Sequence, residues 1–200
     1  MSEETFATTL EKAWQLIKEY KRILIVMPAA ASGDVVASGL ALRRAIRTIG
    51  ANADIIATEG ASERYNFLPD FATMSSQFQN LDLIIRVNCK NTPVDKVSYN
   101  IVDNTLNLVV SPAQGGFRLE DVTPAFGKPN YDLIITLHTD ALASLGEIVS
   151  AFPPLFKDNP IITIDYRAST THFGLVNVVD TSCSSCSEVV YRLLEHNHVA

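Results

Sequence analysis

Asp165 closes an apolar run, Ile161 to Ile164, and an aromatic, an arginine and a small polar cluster follow it. A buried parallel strand that delivers a carboxylate at its C-terminal end is how many α/β proteins build a site. Asp34 lies just beyond a second apolar run, "RILIVMP", and His138 ends a third, "YDLIITLH". Two carboxylates and an imidazole at strand ends could share one cleft and hold a single metal ion. Arg167 adds a second option: its guanidinium and the backbone N–H groups at the Ser184 helix start could hold a phosphate directly. The plainer use of the same residues is structural. Asp34 and Asp165 would cap helices or accept from loop amides, and Arg167 would pair with one of them to neutralise it.

The elements that must position these residues are legible from periodicity. Thr5 to Tyr20 sets Phe6, Leu10, Trp14 and Ile17 at helical spacing, which predicts an amphipathic helix over 1–20. A strand at 22–27 follows. "SGDVVASGLALRRAIRTIG" then repeats Val36, Leu40, Leu42 and Ile46 on a helical period, with Gly50 as the stop, "ALRRAIR" as a solvated face, and "ADIIAT" as the next strand at 52–58. Two near-copies of one phrase, at 81–88 and 131–138, and "IITID" at 160–165 read as buried parallel strands. Between the copies, "KVSYNIVDNTLNLVVSP" alternates on either side of Asp103-Asn104-Thr105, which predicts a β-hairpin over 96–111 at one edge of the sheet. Phe152-Pro153-Pro154 looks like a helix end, and "SCSSCSEVVYRLLEHNH" is a last helix with Glu188 in its first turn.

Two hundred residues, 47% hydrophobic and 19% charged, can bury a real core in one domain. The net charge of −6 and pI near 5.2 exclude a surface built to hold extended duplex nucleic acid, which requires many phosphate-neutralising cations. No apolar run approaches the roughly 18–20 residues that cross a bilayer, and the acidic N-terminus is unlike a secretory signal, so a cytoplasmic protein without membrane attachment is expected. Cys89, Cys183 and Cys186 are too few for a disulfide scaffold. Cys183 and Cys186 form a CxxC at a helix start, a setting that lowers thiol pKa in redox proteins.

From about Arg22 to the C-terminus, the succession "SGDVVASGLAL", "DLIITLHTDALASLG", "IITIDYRASTTHFG", "VNVVDTSCSSCSEVVYRLL" resembles the DHH phosphoesterase superfamily, which includes RecJ-type exonucleases and nanoRNA and pAp phosphatases. The resemblance implies two manganese ions held by His and Asp residues at strand ends, clamping a phosphate for in-line attack. Carried over position by position, the ligands are mostly replaced. Pro28 stands for a histidine, Ser32 for an aspartate, His138 for a strand-end aspartate, and Tyr166 and Arg167 for the two histidines of the Asp-His-His signature. Asp34 and Asp165 alone match, as vestigial candidates for metal. The family pattern also has small residues and threonine at Cys183 and Cys186, which makes the cysteines simple replacements.

The expected architecture is therefore a single α/β domain over 1–200, with a mainly parallel sheet of about five strands, helices on both faces, an inserted hairpin and no second substrate-binding domain in this chain. The expected function is that of a degenerate phosphoesterase-like domain, with no catalytic residues and no cofactor. It would bind a protein partner or a small phosphorylated ligand through a pocket of Ser32, Asp34, His138, Asp165, Arg167, Ser184 and Ser185, and could form a homodimer. The alternative is an active manganese-dependent phosphoesterase on nucleotides or short oligonucleotides that uses non-standard ligands. A third reading is a purely structural or oligomerisation domain.

Overall fold

The protein is described by a computed structural model that covers residues 3–79 and 81–199. The expected helix over 1–20 is α1 (Glu3–Glu19), its first two positions lying outside the described residues; Ala13, Trp14 and Ile17 form its buried stripe. β1 (Arg22–Met27) leads into α2 (Gly33–Thr48), whose N-cap Ser32 accepts from the Val35 N–H at 3.5 Å. β2 (Asn52–Ala57) completes the βαβ unit. Next come β3 (Leu83–Val87), β4 (Val94–Val102), β5 (Thr105–Pro112) and β6 (Val122–Phe126). The chain ends with β7 (Leu133–Leu137), α3 (Glu147–Ala151), α4 (Pro153–Asp158), β8 (Ile161–Asp165), β9 (Val176–Val179) and α5 (Cys186–His196).

Five strands form one parallel sheet in the order β2-β1-β7-β8-β9. Successive residues of β1 enter opposite cores, as the two-residue period of a strand requires. Ile23, Ile25 and Met27 pack in the core that holds buried residues of α1, α2 and α5, while Leu24 and Val26 pack with Leu155 and Phe156 of α4. Helices therefore cover both faces. The chain leaves β1 toward β2 on one side and returns to β7 on the other, so the segments after β1 and β7 flank the reversal point where open α/β sheets bind ligands. Among the described residues no helix is long and apolar enough to cross a membrane.

The chain divides into two compact units, Met1–Gln79 with Pro129–Ala200, and Asn80–Lys128. The first holds the parallel sheet. The second contains two separate two-stranded antiparallel sheets, β3 with β6 and β4 with β5. This corrects the expected strand membership: 81–88 is not a strand of the parallel sheet but pairs antiparallel with β6, and the fifth parallel strand is β9. Arg86 gives the reason, since a strand buried on both faces cannot accept a guanidinium that has no partner. Among the described residues the hairpin is also not hydrogen-bonded along an edge of the five-stranded sheet, because β4 and β5 pair with each other and with no other strand.

Two smaller expectations change as well. "ALRRAIR" is not wholly solvated: Arg43 is 1% exposed, and its Nη2 donates to the Asp70 carbonyl at 3.1 Å. The Phe152-Pro153-Pro154 corner is a helix start as much as an end. α3 stops at Ala151 and α4 begins at Pro153, where a missing N–H costs nothing because first-turn amides have no intrahelical acceptor.

Candidate functional site

Asp165 ends β8 with none of its surface exposed, and its carboxylate is fully engaged. Oδ1 accepts from the backbone N–H groups of Tyr166 at 2.8 Å and Arg167 at 3.2 Å. The Arg167 side chain folds back on the same carboxylate, with Nη2 2.8 Å and Nε 3.1 Å from Oδ2, and Thr170 Oγ1 donates to Oδ2 at 2.7 Å. Burial pushes the Asp165 carboxyl up, but nearby His138 and the donors from Arg167, Thr170 and the Tyr166 N–H outweigh it and hold the group well below the ordinary carboxylate range. Arg167 is in turn pushed above its ordinary value by its hydrogen bonds to Asp165. The pair is an internal salt bridge with bidentate geometry.

His138 follows β7 in the left-handed backbone region, at φ 51°, an uncommon conformation for a residue with a Cβ. Its N–H donates to the Ile164 carbonyl at 3.0 Å, which continues the β7–β8 pairing by one residue. The ring stacks on Tyr166 with centroids 5.5 Å apart and planes 21° apart. Nδ1 lies 3.6 Å from Asp165 Oδ1, too far for a hydrogen bond, and is a buried polar atom without a hydrogen-bond partner.

Asp34 points elsewhere. Its carboxylate sits on the N-terminus of α5, where it accepts from the backbone N–H groups of Cys186 at 2.9 Å and Ser187 at 3.0 Å and from the Ser187 hydroxyl. A helix N-terminus offers unpaired N–H groups and the positive end of the helix dipole, the same features that attract phosphate. Here a side chain from α2 supplies the anion. Ser185 is the α5 N-cap and accepts from the Glu188 N–H at 3.2 Å, while Ser184 gives both its N–H and hydroxyl to Glu188 Oε2, at 2.8 and 2.9 Å.

The structure thus joins His138, Asp165 and Arg167 in one cluster and Asp34, Ser184 and Ser185 around the start of α5. Ser32 caps α2. Cys186 lies between the two groups: burial first, then the charges of Asp34 and Asp165, push its thiol up to about 12. Burial also pushes Cys183 up to about 12. Both cysteines are free and buried, the opposite of the thiolate-favouring setting that a redox CxxC needs. The residues missed from sequence are Thr170, Ser187 and Glu188 as partners. Only Glu188 carried a signal, the Ser-x-x-Glu spacing from Ser185 that marks a helix start.

Among the described residues no three His, Cys, Asp or Glu side chains are grouped so as to hold a metal ion. The donor chemistry agrees with that geometry. Asp165 is committed to a guanidinium, Asp34 to helix amides, and Pro28 has no ligand atom.

No protein-family model matches the chain, and no curated protein matches it by sequence. Among solved structures, an exopolyphosphatase-related protein from Bacteroides fragilis superposes with a TM-score of 0.59 over 94% of this chain, at 16% sequence identity. The chain spans 43% of that protein's length. Likeness at this level establishes a shared fold.

Proposed function

We propose that the parallel-sheet unit is a DHH-type phosphoesterase domain in which internal ion pairs replace the two-manganese centre, and that it acts as a binding module instead of a hydrolase. The observation that carries this reading is the saturation of Asp165. Every lone-pair direction a metal would need is used by Arg167, Thr170 or a backbone N–H. A guanidinium is permanently charged and repels a dication, so Arg167 and two metal ions are alternative solutions to one problem, the neutralisation of a buried carboxylate. Asp34 solves its own half with a helix N-terminus. The shared fold with an exopolyphosphatase-related protein supports the phosphoesterase lineage. Free cysteines suit a reducing, cytoplasmic setting.

The bound molecule is a protein partner or a small phosphorylated ligand. The second has one observation in its favour: the Arg167 side chain, though paired with Asp165, keeps 30% of its surface. An anion docking there would meet the exposed part of a permanently charged guanidinium.

The test is hydrolysis of pAp, short oligoribonucleotides and cyclic dinucleotides across a manganese titration. The expected result is no metal-stimulated turnover. Turnover that Asp165→Asn abolishes would replace this reading with an active enzyme that uses unconventional ligands.

A further inference from the structure

The Asn80–Lys128 unit has the surface of a protein interior. β4 and β5 are joined by Asp103-Asn104, both left-handed at φ 49° and 60°, the two-residue turn whose twist matches a hairpin. Their register sets Val97, Tyr99 and Ile101 opposite Val110, Leu108 and Leu106, so these six share one face. The other face carries Ser98, Asn100, Asn107 and Thr105 with two valines. Such alternation describes a sheet with one side wet and one side packed. Yet on the apolar side Tyr99 is 72% exposed, Ile101 68% and Leu106 56%.

The β3–β6 sheet repeats the pattern, with Leu83 opposite Phe126, Ile85 opposite Pro124 and Val87 opposite Val122 on one face. Among the described residues, fourteen of the seventeen exposed large hydrophobic side chains belong to this unit, and none of its hydrophobic side chains is buried. A two-stranded hairpin is marginal in water unless its apolar face is covered.

Three features identify the cover. The chain as a whole carries −6, but the five acidic and five basic side chains of Asn80–Lys128 cancel, so two copies of this unit do not repel. From Val97 to Val110 the sole charge is Asp103 in the turn, which leaves no cation on this face to attract a nucleic acid or an anionic lipid surface; Asp95, Lys96 and Pro112 lie at the open end of the hairpin. The hairpin face, with Val97, Tyr99, Ile101, Leu106 and Leu108 all exposed, offers on the order of 500–600 Å² per copy, so two copies would bury about 1,000–1,200 Å², just above the roughly 1,000 Å² that a specific interface must clear. We propose that the Val97–Tyr99–Ile101 and Leu106–Leu108–Val110 face is a homodimer interface. Two hairpins pack across a twofold axis as sheet layers, each copy presenting the same patch.

Sedimentation velocity on the full chain tests this between about 1 and 100 μM, a range in which an interface of this size should associate. The expected species at the upper end has twice the 21.9 kDa of one chain. Tyr99→Glu and Leu108→Glu should each weaken the dimer at least about 30-fold, the loss typical of a buried interface anchor. Asn100→Glu, on the polar face, should leave it unchanged. Because a glutamate could also loosen the hairpin, amide hydrogen exchange over 94–112 in the wild-type chain is the second measurement, and its protection should rise with protein concentration. A monomer throughout the range, a dimer indifferent to both glutamates, or protection independent of concentration would overturn the proposal.

Discussion

Two phrases of this sequence begin almost alike, "LDLIIR" from Leu81 and "YDLIIT" from Tyr131, and fold into opposite surroundings. β7 is the middle strand of the parallel sheet, every residue buried, with β1 and β8 as neighbours and helices on both faces. β3 pairs with β6 alone, and four of its five residues are exposed. One position explains much of the difference. Thr136 in β7 is fully buried and its hydroxyl reaches the Thr163 hydroxyl at 3.4 Å, whereas the matching residue of β3 is Arg86. A guanidinium there would enter a core with no partner. Pro124 in β6 lacks an N–H to donate and suits a sheet that goes no further. Apolar β-formers thus specify a strand; the residue that must be buried at its centre decides which sheet can take it.

The sharpest way to break the comparison is a matched truncation. Ile135→Ala in β7 should cost about 2–5 kcal/mol, a transfer loss plus a cavity, while Ile85→Ala in β3 should stay within about 1 kcal/mol. Denaturant unfolding of the two variants checks it, and equal losses would mean that β3 is as buried as β7. Next in size is the pair of arginines. Removing Arg167 strands the buried Asp165 carboxylate at the end of β8 and should cost about 3 kcal/mol, a fall of roughly 6–12 °C in melting temperature for a chain of this length. Arg86→Ala should change stability by no more than about 0.5 kcal/mol.

Acid should find the same lock. Because the folded Asp165 carboxyl titrates below its unfolded value, its contribution is fully present above the ordinary carboxylate pKa of about 4 and is lost as pH falls below that. Asp165→Asn should therefore flatten the acid limb of the stability curve. An unchanged limb would mean that Asp165 is not held in its charged form. Among the charged groups of the candidate site, the smaller effect belongs to Asp34→Ala. Loss of a carboxylate on the α5 N-terminus should cost about 1–2 kcal/mol and leave Asp165 untouched, a difference that thermal melts at neutral pH can read.

How much of this was legible follows from the range of each interaction. The helical period of α2 and the apolar runs of β1, β2, β7 and β8 are local signals, and so is the Asp103-Asn104 turn. β9 was passed over because "VNVV" is short and interrupted by Asn177, whose amide is tied to Gly174 in both directions. Arg167 two residues from Asp165 was readable as a counter-ion or an anion receptor, and sequence left both open. That Asp34 caps a helix or accepts from amides was readable as a common use of a carboxylate, but that the helix is α5 was not, since its partners lie 152 and 153 residues away. Arg43 failed for the same reason: its carbonyl acceptor, Asp70, comes from a segment whose position the helical pattern does not reveal.

The central claim is the proposal that a guanidinium and a helix N-terminus neutralise Asp165 and Asp34 in place of metal ions. Thermal melting of the wild-type chain, first in chelator and then with manganese raised to millimolar concentration, tests it most directly. A metal pair bound at 100 times its dissociation constant would add about 2.7 kcal/mol, or roughly 5–10 °C for a chain of this size. The account predicts no such shift and no stoichiometric metal after dialysis. A rise of that size with two manganese ions retained per chain would contradict it.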